Sequence, residues 1–286
     1  MNSLDLEHLR SWIGRRETRT EPITSAPATL LAATLERSDI RTGPGDALPP
    51  LYQWLYFLPV CPQSQIGSDG HPARGDLLPP VPLPRRMWAA STIAFKHPLA
   101  IGDIVTRWTE VVGVGLKHGR SGPLVFVTLR TVHSDSQGRD AIEETQELVY
   151  RGHPSQADPS PAPAIAPRDE HWSRALVADP VLLFRYSALT FNAHRIHYDV
   201  EYARESERYP ALVVHGPLTV TLLLDHLQRN LPDKRVVHLA FRAVRPLFQG
   251  RPFDLCGQLA ADGKTVQLWT RDDHGALCTD AVAQVE

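Results

Sequence analysis

The segment Phe191-Asn192-Ala193-His194-Arg195-Ile196-His197-Tyr198-Asp199 gathers an amide, two imidazoles, a guanidinium and a carboxylate. Eighteen residues after His197 comes the pair His215-Gly216, at the start of a long apolar run. A histidine titrates near neutrality and is suited to giving or taking a proton. A glycine at a helix N-terminus lets a substrate carbonyl approach free backbone N–H groups, where the helix dipole favours negative charge. Proton transfer beside a backbone oxyanion site is what addition of water to an α,β-unsaturated thioester requires. The same residues have a plainer explanation, in which His194 and His197 are hydrogen-bonded structural histidines at a helix junction. A metal set of His194, His197, Asp199 and His215 is a third option, but His-x-x-His-x-Asp is not a strong ligand signature, and no metal site is expected.

Other residues offer binding chemistry. Arg85-Arg86 follows the stiff run Pro79-Pro80-Val81-Pro82-Leu83-Pro84, so a guanidinium held there could clamp a substrate carboxylate or a CoA phosphate; two solvated arginines are the alternative. Arg242 and Arg245 alternate with apolar residues and, with Lys234-Arg235, could meet CoA phosphates, although solvation at a sheet edge explains them more simply. Asp69 and His71 flank Gly70 as pocket residues or as ordinary turn chemistry. Trp54, Tyr56 and Phe57 are expected in the core. Cys61, Cys256 and Cys278 are few, widely spaced and expected to be buried packing residues in a reduced, cytoplasmic protein.

The elements around these residues follow from turn signals and periodicity. Asp179-Pro180 is a helix cap followed by the residue favoured at the first helical position, opening a helix through Tyr186. Asp199 opens a short helix, and the run from Gly216 through Leu227 reads as a buried helix stopped before Pro232. Strands are expected over Arg235–Phe248, Pro252–Ala260, Thr265–Arg271 and Leu277–Val285, with turns at Gln249-Gly250, Asp262-Gly263 and Asp272–Gly275. The first half repeats this order loosely. Helical segments Asp5–Ile13 and Pro27–Leu35 and an aromatic stretch Leu51–Leu58 precede strands Met87–Phe95, Asp103–Val114, Leu124–Val132 and Ala141–Tyr150, with turns at His118–Gly122 and Asp135–Gly138. A Pro- and Ala-rich linker over 155–168, expected to run extended without a core of its own, divides residues 1–154 from 169–286. Helices followed by antiparallel strands, twice, is an α+β pattern.

Composition narrows the partners. The 286 residues are 42% apolar and 22% charged, as in a folded globular enzyme. A net charge of −2 gives no general field for nucleic acid or acidic lipid. The N-terminus lacks a basic, apolar signal pattern, and no run approaches the roughly 20 apolar residues of a membrane helix.

The stretch from Ser187 through Ala203, followed by Leu212-Val213-Val214-His215-Gly216-Pro217, resembles the hydratase motif of MaoC-like double hot-dog dehydratases. Within them it is most similar to the branch holding itaconyl-CoA and mesaconyl-C4-CoA hydratases and mitochondrial hydroxyacyl-thioester dehydratases. Leu51–Leu58, Gly67–Pro72, Leu78–Ala89, Lys117–Gly122 and Glu143-Glu144 resemble the degenerate N-terminal hot dog of that branch. The resemblance implies two repeats, each a sheet wrapped around a long helix: a first that shapes the acyl pocket and a second that carries the catalytic loop. It also implies an acyl-CoA substrate, no cofactor and, from the fold, a homodimer. In the general motif an Asp five residues before the His helps hold the attacking water. Here the His is His197, but position 192 is Asn, which cannot accept a proton at ordinary pH. Either His197 is the sole acid–base group, or His194 or a carboxylate elsewhere takes the Asp's place.

The reaction expected is hydration or dehydration of a short dicarboxylic acyl-CoA such as mesaconyl-C4-CoA or itaconyl-CoA, giving citramalyl-CoA. His197, Asn192, Gly216 and His194 form the catalytic group, with Arg85, Arg86, Asp69, His71, His215 and Arg242 around the substrate. A general enoyl-CoA hydratase or 3-hydroxyacyl-thioester dehydratase is the near alternative. A hot-dog thioesterase would need a carboxylate that only Asp199 could offer, and Asp199 is better explained as a helix cap. A non-catalytic acyl-CoA-binding protein would have no use for both His197 and the His215-Gly216 entrance.

Overall fold

The helix that starts at Gly216 is the centre of the second half. Pro217 fits its first turn, and every residue from Leu218 to Leu227 is buried in α5 (Gly216–Asn230). A helix apolar nearly all round must be covered all round. In the computed structural model, which describes residues 4–119, 122–153 and 162–286, the cover on one side is an antiparallel sheet of ten described strands. These are β1 (Arg16–Pro22), β2 (Arg85–Phe95), β3 (Ile104–Gly119), β4 (Gly122–Ser134), β5 (Asp140–Arg151), β6 (Trp172–Val177), β7 (Val236–Ala243), β8 (Pro252–Leu259), β9 (Thr265–Asp272) and β10 (Leu277–Val285). Their order across the sheet is β1-β3-β4-β5-β2-β7-β10-β9-β8-β6. The first five strands lie on one side and the last five on the other, and the seam is the pairing of β2 with β7 from Ala90 opposite Arg242 to Ala94 opposite His238.

The remaining helices are α1 (Leu6–Arg10), α2 (Ser25–Thr34), α3 (Pro180–Leu189) and α4 (Val200–Glu205). Asp179 and Asp199 cap α3 and α4 as expected, accepting from the backbone N–H of Leu182 at 2.7 Å and of Tyr202 at 3.0 Å. In the first half α2 is ten residues long, against fifteen for α5, so the two halves are not equal repeats around equal helices. The aromatic stretch forms a short 3-10 turn, Tyr52–Leu55; Tyr56 and Phe57 are buried and Trp54 is half-buried.

Charged groups tie the halves together inside. Asp225, buried on α5, accepts from Arg37 at 2.6 Å and Arg229 at 2.8 Å, with Arg174 at 3.4 Å. At the seam the buried Glu144 accepts from the indole of Trp54 at 3.0 Å and the hydroxyl of Ser91 at 2.7 Å. Burial pushes the Glu144 carboxyl up, against the two hydrogen bonds that favour its ionised form.

Several expectations needed correction. The edge strands β1 and β6 were not anticipated; their residues alternate between exposed and half-buried, and a strand with no fully buried residue carries little apolar signal. The strand expected over Arg235–Phe248 ends at Ala243, while β3 runs on to Gly119. The helix expected over Asp5–Ile13 is only one turn long, and the one over Pro27–Leu35 begins at Ser25. The first part of the 155–168 linker and positions 120–121 of the His118–Gly122 turn lie outside the described residues. The linker's end does join a core: Ala166 is buried beside Cys256 and Trp269, and Ile165 bridges to Ala276. Cys256 and Cys278 are buried, but Cys61 is only half-buried.

Candidate functional site

The loop between α3 and α4 leaves its helix abruptly. Phe191 takes a left-handed conformation, φ 48°, unusual for a bulky side chain and a mark of backbone set by its surroundings. Asn192 then accepts from the backbone N–H of His194 at 3.0 Å through its Oδ1. The amide oxygen of Asn192 is thus occupied by its own loop.

His194, His197 and His215 are buried close together. The rings of His197 and His215 stack with centroids 3.7 Å apart and planes at 19°, and His194 stands edge-on to His197 at 5.5 Å. His197 Nδ1 lies 2.8 Å from the carbonyl of Val213. A carbonyl only accepts, so Nδ1 carries the hydrogen and Nε2 presents its lone pair. Burial depresses the basicity of His197, bringing it to about 4, so it is a neutral imidazole near pH 7. His215 Nε2 lies 2.8 Å from the Ser187 hydroxyl, and burial holds it neutral as well. The next residue, Gly216, is exposed at the N-terminus of α5. A Cβ built there would meet nothing within 4 Å, so the space in front of this backbone is open to a carbonyl.

The first half reaches into this site. Asp69 accepts from the backbone N–H of Arg195 at 3.0 Å through its carbonyl, and Ser68 accepts from the Arg195 guanidinium at 3.1 Å. Gly70 has φ +90° and presses so closely on the loop between α3 and α4 that a Cβ would fall 1.8 Å from the carbonyl oxygen of Ala193. This seats His71 against His194, with ring centroids 4.1 Å apart. The Asp69 side chain accepts from the His71 backbone N–H at 2.9 Å and lies 3.1 Å from its Nδ1. Burial opposes ionisation of Asp69, but its hydrogen bond and proximity to His71 outweigh this and hold it below the usual carboxylate range. His71 is lowered to about 4 by burial first and then by the charge of Arg86. His194 falls to about 2 through burial and its neighbouring histidines.

Among the described residues Asp69, His71 and His194 have metal-like spacing, with ligand atoms within 4.8 Å of one another. The set His194, His197, Asp199 and His215 does not form, because Asp199 is taken up by the α4 cap and by Arg195 at 2.7 Å.

The arginines separate. Arg85 is buried in an ion pair with Glu207, which is equally buried, and its guanidinium lies over Tyr209. It is a strut between β2 and the segment after α4, not a free clamp. Arg86, half-buried, carries its charge close enough to His71 and His194 to depress both, and no carboxylate pairs with it among the described residues. Arg74 gathers the Pro-rich approach by donating to the carbonyls of Val81, Leu83 and Pro84. Arg242 is on the exposed face of β7 and pairs with Asp280 at 3.0 Å, so it is not brought to the histidines. No role was read for Glu207, or for Ser187 and the Val213 carbonyl within the motif, since each matters only through a partner distant in sequence.

The family model for hydroxyacyl-thioester dehydratase type 2 matches residues 51–249. The chain belongs to that family. A mesaconyl-C(4)-CoA hydratase of Chloroflexus aurantiacus is 44% identical over 276 residues, 96% of this chain and 97% of that one. A mitochondrial hydroxyacyl-thioester dehydratase type 2 of Schizosaccharomyces pombe is 30% identical over 250 residues, covering 78% and 83%. A MaoC-like dehydratase structure superposes with a TM-score of 0.72 at 14% identity, covering 97% of this chain and 99% of that one. A Mycobacterium tuberculosis protein described as a double hot-dog fold superposes at 0.60 with 16% identity, each chain covered at 96%. This hydroxyacyl-thioester dehydratase relative therefore has the double hot-dog fold.

Proposed function

We propose that this chain is a hydro-lyase that hydrates a short dicarboxylic unsaturated acyl-CoA of the mesaconyl-C4-CoA or itaconyl-CoA type, giving citramalyl-CoA, or runs the reverse dehydration. One observation carries the reading: His197, a buried neutral imidazole with Nδ1 spent on Val213, stacks on His215, the residue that precedes the open N-terminus of α5. His197 Nε2 takes a proton from water as the water oxygen bonds to the β carbon. The π pair moves toward the thioester oxygen, and the Gly216 N–H with the helix dipole stabilises the enolate. Collapse of the enolate takes the proton back from His197 at the α carbon, so one water is added and the enzyme is restored.

The substrate class is supported by the Chloroflexus relative and by Arg86, a guanidinium near the imidazoles with no carboxylate of its own. In mesaconyl-C4-CoA the free carboxylate sits on the β carbon, so a clamp beside the proton-transfer group is where the chemistry needs it. In this scheme the first half, 1–154, shapes the acyl pocket, and residues 169–286 carry the catalytic loop. The enzyme works as a cytoplasmic homodimer, a state that light scattering on the purified protein would check. No helix among the described residues is long and apolar enough to cross a membrane. The Schizosaccharomyces relative favours a second substrate class, 3-hydroxyacyl thioesters, for the same site. A panel of acyl-CoAs followed by mass spectrometry separates the two. Mesaconyl-C4-CoA should gain the mass of one water faster than crotonyl-CoA; faster turnover of crotonyl-CoA would leave a general enoyl-CoA hydratase, and release of free CoA would mean a thioesterase.

A further inference from the structure

An attacking water has two hydrogens and is best held by two acceptors. His197 Nε2 is one of them on the hydratase reading proposed above, on which this inference also rests. The motif's second acceptor would stand at position 192, but Asn192 turns its Oδ1 back to the His194 N–H, which takes one of that oxygen's two lone pairs, and a neutral amide cannot stand in for a carboxylate. We infer that His71, held by Asp69, is the second acceptor, contributed by the opposite half of the chain.

The geometry supports this at three points. The loop carrying His71 is locked onto the catalytic loop through Asp69, Ser68 and the close approach of Gly70 to Ala193. Asp69 Oδ2 faces His71 Nδ1 at 3.1 Å, and an ionised carboxylate only accepts, so the hydrogen sits on Nδ1 and the lone pair on Nε2. The His71 side chain is 18% exposed, more open than His194 or His197, and its ring packs on His194 next to His197. The groups facing His71 are Asp69, Arg86, Arg74 and His194. The carboxylate that the motif lacks at position 192 is therefore supplied indirectly, one imidazole removed. During addition His71 Nε2 accepts one water hydrogen as a hydrogen bond, while the other leaves as a proton to His197. His71 contacts the reacting water and is a catalytic residue; Asp69 is a positioning residue that sets its tautomer. A metal ion is the competing use of Asp69, His71 and His194, whose ligand atoms lie within 4.8 Å of one another.

The test is steady-state hydration of mesaconyl-C4-CoA by the full chain, as wild type and as His71→Ala, His71→Gln, His194→Gln and Asp69→Asn. His71→Ala should lose about 10²-fold in kcat with KM within a few-fold, the scale of a misplaced reactant, and His71→Gln, whose amide oxygen can accept in place of Nε2, should lose less. His194→Gln should lose far less. Asp69→Asn should lower kcat and move the acidic limb of its pH profile downward, because Asp69 raises the basicity of His71; a purely structural role would leave that limb in place. If His71→Ala fails to fold, His71→Gln keeps the bulk, and the Asp69→Asn profile reads the same claim independently. Wild-type kcat in a folded His71→Ala would overturn the inference, as would a larger loss in His194→Gln than in His71→Ala. Activity lost to EDTA and restored by zinc would overturn it in favour of a metal. A wild type inactive on every acyl-CoA would instead refute the hydratase reading on which it stands.

Discussion

Arg85 and Arg86 are neighbours on β2, yet replacing them should give two unlike phenotypes. Arg85 and Glu207 are exposed by only 3% and 6% at their side chains. Arg85→Ala leaves a buried carboxylate without its cation, which costs about 3–5 kcal/mol. For a chain of this size each kcal/mol lowers Tm by about 2–4 °C, so melting should fall by roughly 6–20 °C. Arg86 has no such partner among the described residues, and its removal should barely move Tm. On the proposed function it binds the carboxylate on the β carbon, an interaction worth about 1.5–3 kcal/mol, or about 10- to 150-fold in kcat/KM. That loss should fall on mesaconyl-C4-CoA and spare crotonyl-CoA, which has no carboxylate to bind. Removing the Arg86 charge also relieves the repulsion that depresses His71, so the acidic limb of the crotonyl-CoA profile should move upward. Calorimetry with kcat/KM on both thioesters measures everything required. A selective loss on mesaconyl-C4-CoA in Arg85→Ala with unchanged Tm, or equal losses on both substrates in Arg86→Ala, would refute the assignment of a strut and a clamp.

Gly70→Ala should cost both activity and stability, since its Cβ would collide with the Ala193 carbonyl and its φ is left-handed; wild-type kinetics in that variant would show that the two loops are not locked. Stability should rise with pH between about 4 and 6.5. His71 and His197 stay neutral down to about 4 and His133 to about 3, whereas the unfolded chain protonates its histidines near 6.5, so acid favours unfolding. Tm measured across that range checks the sign, and a flat profile would contradict the buried neutral histidines. Asn192→Asp should fold normally, because Asp can accept from His194 N–H as Asn does. Its rate on mesaconyl-C4-CoA should not rise, since a second anion would face the substrate carboxylate, and a large gain would contradict that repulsion.

The capped helices α3 and α4, the buried α5 and the inner strands of both halves were legible because local signals agree there: Asp at the caps, Pro after them, and apolar residues at the right period. The edge strands were not, because β1 and β6 bury no full side chain and their pairing is decided by β3 and β8. At the candidate site, type and spacing singled out His197, His194, His215 and Gly216, and the fold brings the three imidazoles together. What spacing could not say is which arginine is free. Arg85 and Arg86 are indistinguishable as a dipeptide, and only Glu207, 122 residues from Arg85, separates them. Likewise Asp69 and His71 read either as pocket residues or as a turn; they form a turn, and only the approach of Gly70 to Ala193 shows that it is seated on the loop between α3 and α4.

The most direct test of the central claim is incubation of mesaconyl-C4-CoA in oxygen-18 water with wild type and His197→Ala. Wild type should place one oxygen-18 in the β-hydroxyl of the product. His197→Ala, folded by calorimetry, should incorporate it about 10²–10⁴-fold more slowly. Label entering the β-hydroxyl at the wild-type rate in His197→Ala would contradict the account, as would label appearing only in a released free acid.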